Sequence, residues 1–187
     1  AAARRPGVVA AGEVGLDYAK CEVPRPRQME AFLGMLTAAA AADLPVVIHC
    51  RDAYQDLMPV LRERFPGRPR TGRFHGVVHC FSGTSSEAAE CAARGFALGA
   101  DGPVTYPKND ALRAALTGAG LASLVLETDS PWLPPQAKRG KRCEPADVVD
   151  VAARLCEMFA MPIKELARVT EGNARELYRL GEPSSAG

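Results

Sequence analysis

The chain has 187 residues, of which 47% are hydrophobic and 24% charged, a balance that fits one globular domain with a sizeable core and excludes a disordered segment. A formal net charge of +1 argues against a basic face gripping a long run of DNA backbone, so any nucleic-acid contact should be local. No apolar stretch is long enough to span a bilayer, no basic and then apolar leader opens the chain, and six cysteines without a C-x-x-C pair read as reduced thiols of a cytoplasmic protein.

Short β-branched runs alternate with longer amphipathic stretches. Val8-Val9-Ala10-Ala11 forms the first run and ends at Gly12-Glu13; residues 28–42 follow, with Met29, Phe32, Leu33 and Leu36 on one helical face. Pro45-Val46-Val47-Ile48 stops at His49, and a helix with Leu57, Val60, Leu61 and Phe65 comes next, with Pro59 near its first turn or kinking it. Gly76-Val77-Val78 ends at His79. Thr84 and Glu87 then make a capping box for a helix that Gly95 stops. Phe96 to Ala100 is the fourth run, followed by a short helix around Leu112 to Leu116. Leu124-Val125-Leu126 ends at Glu127-Thr128-Asp129. Pro145 opens a helix with Val148, Val149, Ala152, Leu155 and Phe159 on one side, and a last helix covers about Pro162 to Leu180.

Continuous apolar strands separated by helices imply a parallel sheet covered by helices. An open doubly wound sheet and a closed barrel both satisfy this. The barrel is favoured, because Glu13, His49, His79 and Asp129 stand at the carboxy ends of four strands, which converge on one face of a (β/α)8 barrel. No glycine-rich phosphate turn marks a switch point. A complete barrel takes about 250 residues, roughly 30 per strand–helix unit. Five units therefore fill this chain, and the 50 positions from His79 to Asp129 hold one ligand-free strand. If Asp129 follows strand eight, Glu13 falls on strand four. The expectation is an α/β TIM barrel with only strands four to eight present, a single domain over residues 1–180 and a flexible tail at 181–187.

A lone histidine after an apolar strand is usually a hydrogen-bonded rim residue, and a lone Glu-x-Asp is usually solvated. Two histidines and two acids at matched positions on four strands suit a divalent-metal hydrolytic site instead. Imidazole with carboxylate favours Zn²⁺ or Mn²⁺, whereas Mg²⁺ prefers oxygen. A carboxylate shared by two ions can help activate water against a phosphate ester. His75 precedes its strand and reads as exposed loop.

Four ordered segments carry a resemblance: Gly12-Glu13-Val14-Gly15-Leu16-Asp17-Tyr18, then residues 45–53 from Pro45 through His49-Cys50-Arg51-Asp52 to Ala53, then His79-Cys80-Phe81-Ser82-Gly83, and finally Glu127-Thr128-Asp129-Ser130-Pro131-Trp132-Leu133. Together with Glu144-Pro145 and Thr170-Glu171-Gly172-Asn173-Ala174, they resemble the successive motifs of TatD-family deoxyribonucleases over essentially the whole chain. The resemblance implies a metal-dependent TIM-barrel hydrolase that cleaves DNA phosphodiesters with up to two divalent ions (Mg, Mn or Zn). Glu13 would bridge the ions, His49 and His79 would hold the second, and Asp129 would bind the first and orient or deprotonate water. Arg51 and Ser130 could hold phosphate, although Arg51 could equally pair with Asp17 or Asp52; Asp17 is a supporting residue.

The family's H-x-H motif is absent, since the only histidines are His49, His75 and His79. The first ion then keeps Glu13 and Asp129 alone, and low nuclease activity is expected of this chain by itself. Cys143 stands where the family usually has Asn and is not catalytic, because the metal mechanism needs no thiolate. The loop Lys138-Arg139-Gly140-Lys141-Arg142 hangs over the catalytic face in this reading, either solvated or as a local phosphate clamp through Lys141 and Arg142. The expected partner is single-stranded or frayed DNA in local contact, with no membrane and no obligate protein partner. A small amide or ester is the alternative substrate, and a catalytically impaired remnant the alternative state.

Overall fold

A computed structural model describes residue 3, residues 5–69 and residues 72–181. Its elements are β1 (Ala11–Asp17), α1 (Arg25–Ala41), β2 (Val46–Arg51), α2 (Tyr54–Arg64), β3 (Gly76–Val78), α3 (Ser85–Arg94), β4 (Phe96–Ala100), α4 (Asp110–Ala119), β5 (Leu124–Leu126), α5 (Val148–Phe159) and α6 (Ile163–Tyr178). Short 3-10 turns precede α4, β5 and α5. The strands form one parallel sheet in the order β1-β2-β3-β4-β5. This consecutive order has no reversal and so no switch-point crevice, which is the winding of a barrel wall rather than of a doubly wound sheet. Among the described residues no helix is long and apolar enough to cross a membrane. Of the expected tail at 181–187, residues 182–187 lie outside the described residues.

Strand periodicity separates two apolar layers. Ile48, Val78, Leu98 and Leu124 join Phe32, Leu36, Leu57, Leu61, Leu116 and Leu155 of the helices in the main core. Their alternates Val77, Ala97 and Val125 pack instead with Phe74 and Leu177 of α6, with Val47 and Tyr178 against them. Asn173 of α6 ties that helix to the start of β5: Nδ2 donates to Leu121 O (2.9 Å) and Leu124 O (2.7 Å), while Oδ1 accepts from Arg73 Nη1 (3.1 Å).

Several expectations shift. β1 starts at Ala11 because pairing begins there, opposite Val46; Val8 and Val9 precede the ladder and are 38% and 42% exposed. Glu13 therefore lies within its strand rather than at its end, and His49 is likewise inside β2, since β1 and β2 stay paired as far as Asp17 and Arg51. Pro59 lies inside α2 beyond its first turn. Val149 faces solvent at 62% exposure, while Val151, Ala152 and Leu155 form the buried stripe of α5. His75 is half-buried rather than an exposed loop residue: its ring packs at a tilt of 54° against Phe65 (4.8 Å between centroids), and Nε2 contacts Gly67 O at 2.8 Å. The Thr84–Glu87 capping box and the left-handed Gly95 stop of α3 are as the sequence implies.

Asn173→Ala removes the side-chain donor to buried Leu124 O and a second donor to Leu121 O, which keeps the Leu124 N–H, so it should cost about 2 kcal/mol, read as a lowered urea midpoint. Val149→Ala on the exposed face of α5 should stay within about 0.5 kcal/mol.

Candidate active site

Three strands and the segment after β5 bring four acids and two imidazoles together. In β1 the register slips by one residue between Ala11 and Val14, a bulge around Gly12-Glu13 that re-aims the Glu13 side chain. Gly15 then lets β1 lie tight on β2, because a Cβ there would meet His49 O at 1.9 Å. Glu13 Oε1 comes to 2.9 Å from His49 Nδ1 and 4.0 Å from His79 Nε2. Asp129 Oδ1 lies 3.6 Å from the same His79 nitrogen. Glu13, His49, His79 and Asp129, the four expected ligands, are thus gathered at one place.

Supporting groups hold the rings. His49 Nε2 faces Asp17 Oδ2 at 3.4 Å, and Asp17 Oδ1 accepts the backbone N–H groups of Ala19 and Lys20. Buried Gln28 clamps this turn: Oε1 accepts from Asp17 N, and Nε2 donates to Asp17 O and Val23 O. Burial opposes charge on Asp17, but the Lys20 and Ala19 N–H groups and His49 outweigh it and hold its pKa below the usual value.

Glu127 is the orienting residue that sequence reading missed. Its Oε2 lies 2.9 Å from His79 Nδ1, and its Oε1 accepts from the N–H of Cys80, whose left-handed backbone (φ 46°) points that N–H inward. Gly99 makes room, since a Cβ there would fall 1.9 Å from Glu127 Oε1. Burial disfavours a charged His79. The Glu127 hydrogen bond and the charges of Glu127, Glu13 and Asp129 nevertheless win, lifting its pKa to about 9.

The strand expected to be ligand-free delivers an acid as well. Asp101 directly follows β4, is 2% exposed, and its Oδ2 has no hydrogen-bond partner. Burial, joined by repulsion from Glu127 and Asp129, pushes its pKa to about 7 against the pull of Cys80 and His79. Only the paired carboxylate after β5, two residues apart, signalled Glu127 in the sequence; nothing local signalled that Asp101 is buried.

A cleft of about 550 Å³ opens on this cluster, lined by His49, His79, Asp129, Arg51 and, farther along, Lys108 and Asn109. Arg51 makes no ion pair with Asp17 or Asp52 among the described residues. Ser130 Oγ donates to Thr128 Oγ1 at 3.1 Å and does not line the cleft. The basic loop is partly engaged elsewhere: Lys138 pairs with Asp147 (2.6 Å) and Asp150 (3.3 Å), and Arg139 lies 4.4 Å over the Tyr106 ring. Lys141 and Arg142 are exposed outside the cleft.

The donor set fits a divalent cation. Carboxylate oxygen and imidazole nitrogen from separate elements face one another within 4.0 Å, and the surrounding acids already favour positive charge at His79. Glu127 on the far nitrogen of His79 and Asp17 beside His49 supply the outer partners that fix ligand imidazoles. His79, Cys80 and Glu127 also offer atoms all within 4.8 Å of one another.

A protein-family model described as TatD related DNase matches residues 1–179. That match begins at residue 1, so it gives no support to the expectation of a lacking amino-terminal segment. The chain is 38% identical over 173 residues to the uncharacterized metal-dependent hydrolase YabD of Bacillus subtilis, covering 92% of this chain and 66% of the relative. It is 35% identical to a 3'-5' ssDNA/RNA exonuclease TatD of Edwardsiella piscicida, covering 95% and 68%. The crystal structure of YJJV, a TatD homolog from Escherichia coli K12, superposes with a TM-score of 0.85 at 35% identity, over 95% of this chain and 67% of that one. The chain thus spans about two thirds of the length of these relatives.

In metal-free protein, protonated His79 contributes stability that is full below pH 6.5 and is lost as pH rises through about 9. Glu127→Gln should bring the imidazole titration of His79 down from about 9, followed by proton NMR; an unmoved titration would contradict the assigned contact.

Proposed function

The chain belongs to the TatD-related DNase family of metal-dependent hydrolases, and from that premise we propose that it hydrolyses phosphodiester bonds at the 3′ ends of single-stranded nucleic acid, DNA first. The observation that carries the reading is the convergence of Glu13, His49, His79 and Asp129, the last three of which line a cleft that also presents Arg51, a cation without an ion pair among the described residues. Relatives named as 3'-5' ssDNA/RNA exonucleases support the substrate class and polarity. Near-neutral net charge supports a single strand over a duplex, because little basic surface is left to track two backbones. Five consecutive strand–helix units, in a chain two thirds as long as its relatives, support reading β1 to β5 as strands four to eight of an eightfold barrel. Six unpaired thiols support a cytoplasmic location.

In this reading Glu13, His49, His79 and Asp129 hold one or two divalent ions. Bound there, such ions supply Lewis acidity toward a phosphate oxygen and lower the pKa of water. Asp129 takes the proton of the attacking water. Glu127 keeps the His79 ring in one orientation through Nδ1, leaving Nε2 toward the cleft. Arg51 steadies a non-bridging phosphate oxygen, and with no carboxylate partner among the described residues that guanidinium can take a substrate anion.

The test uses a 5′-labelled single-stranded oligonucleotide with Mn²⁺. Cleavage should be slow, shorten the strand stepwise from its 3′ end and stop with EDTA, and Asp129→Asn should reduce it at least about a hundredfold. Cleavage that survives EDTA, or an Asp129→Asn variant as fast as the unsubstituted chain, would overturn the reading. Turnover of a small ester or amide alone would transfer the site to that substrate class.

A further inference from the structure

Lys108 stands apart from the other cations of this face. It lines the same cleft as His49, His79 and Asp129, on the loop between β4 and α4, and is exposed with no partner among the described residues. The nearest acid along the chain does not compete for it, because the Asp110 carboxylate is held by Arg113 Nη2 at 2.6 Å. Nor is the loop loose. Arg113, only 8% exposed, donates to the carbonyls of Val104 (3.0 Å), Tyr106 (2.6 Å) and Pro107 (3.1 Å), and Asn109 Nδ2 donates to Pro103 O (3.0 Å). Tyr106 OH reaches Pro134 O at 2.9 Å, which anchors the loop to the segment following Asp129. A buried guanidinium thus fixes the backbone leading into Lys108 and holds the Asp110 side chain beyond it, so an ammonium group is presented to the cleft on a preorganised support.

Apolar wall formed by Ala111, Leu112 and Leu133 lies in the same cleft. One phosphate at the metal-ligand cluster is served by Arg51; a single small ester leaves Lys108 without a counter-charge. A strand with a second phosphate and an intervening sugar and base uses both cations and the apolar wall.

We infer that Lys108 is a substrate-binding residue that takes a backbone phosphate other than the one hydrolysed, so that the cleft selects an oligonucleotide over a mononucleotide. This rests on reading the site as a phosphodiesterase. It also moves the phosphate-holding role on this side of the cleft from the loop of Lys141 and Arg142 to the β4–α4 loop.

The test is equilibrium binding of the full chain, with Mn²⁺, to a phosphorothioate-linked oligothymidylate and to thymidine monophosphate, by fluorescence anisotropy and competition. Lys108→Gln should weaken the oligonucleotide about tenfold. It should also lower the slope of log affinity against log salt by about 0.7, the share of one single-strand phosphate, and leave the mononucleotide unchanged. Lys141→Gln should change neither. Unaltered oligonucleotide affinity in Lys108→Gln, equal weakening of both ligands, or a loss confined to Lys141→Gln would overturn the inference. Absence of oligonucleotide binding by the unsubstituted chain would overturn it together with the proposed function. Lys108-dependent binding without metal-dependent cleavage would leave it standing and remove the hydrolytic reading alone.

Discussion

Glu13, Glu127, Asp129 and Asp101 bring four carboxyl groups around one mostly buried imidazole, that of His79, and like charges this close persist only with positive charge among them or with protons on some of them. Both responses are visible. The His79 pKa rises to about 9, and buried Asp101 rises to about 7. A divalent cation answers the same demand more fully, since it brings two charges to a point where imidazole nitrogen and carboxylate oxygen already face one another. The rest of the site follows from keeping these groups close without collapse.

The backbone accomplishes that through consecutive parallel pairing. Each strand of the sheet neighbours the next in sequence, so side chains at or beyond their carboxy ends arrive side by side. Two glycines then permit approaches that a Cβ would block, Gly15 against the β2 backbone and Gly99 beneath Glu127. A bulge re-aims Glu13, and Gln28 and Arg113 use their polar atoms to pin the turn after β1 and the loop after β4. At the other end of the sheet, Asn173 and Leu177 fasten α6 to β5 and to the second apolar layer. Rigid placement of the reacting groups is therefore a property of loops held by buried side chains as much as of the strands.

Much of this was legible in the chain. The apolar runs marked β3, β4 and β5 at their observed bounds, and Thr84, Glu87 and Gly95 bounded α3, because these signals are local and energetically unopposed. The run at Val8 and Val9 misled, since β-branched residues favour a strand but only a paired neighbour makes one, and pairing starts at Ala11. Val149 misled for a related reason: the burial of α5 is set by what it packs against, not by its own hydrophobic count. Glu13, His49, His79 and Asp129 could be picked from position and motif. In the sequence Glu127 reads as solvated, and no local pattern sets Asp101 apart or singles out Lys108 beside the denser basic run at residues 138–142. Burial, orphaned oxygens and the lack of an ion-pair partner are tertiary facts, and no local pattern encodes them.

As proposed, the cluster around His79 binds a divalent metal ion in the chain as it stands. Calorimetric titration of EDTA-treated protein with Zn²⁺ or Mn²⁺ tests this most directly. Saturable binding of at least one ion, weakened more than about tenfold by His79→Gln while Lys141→Gln binds normally, is the predicted result. Absence of binding, or binding indifferent to His79→Gln, would contradict it.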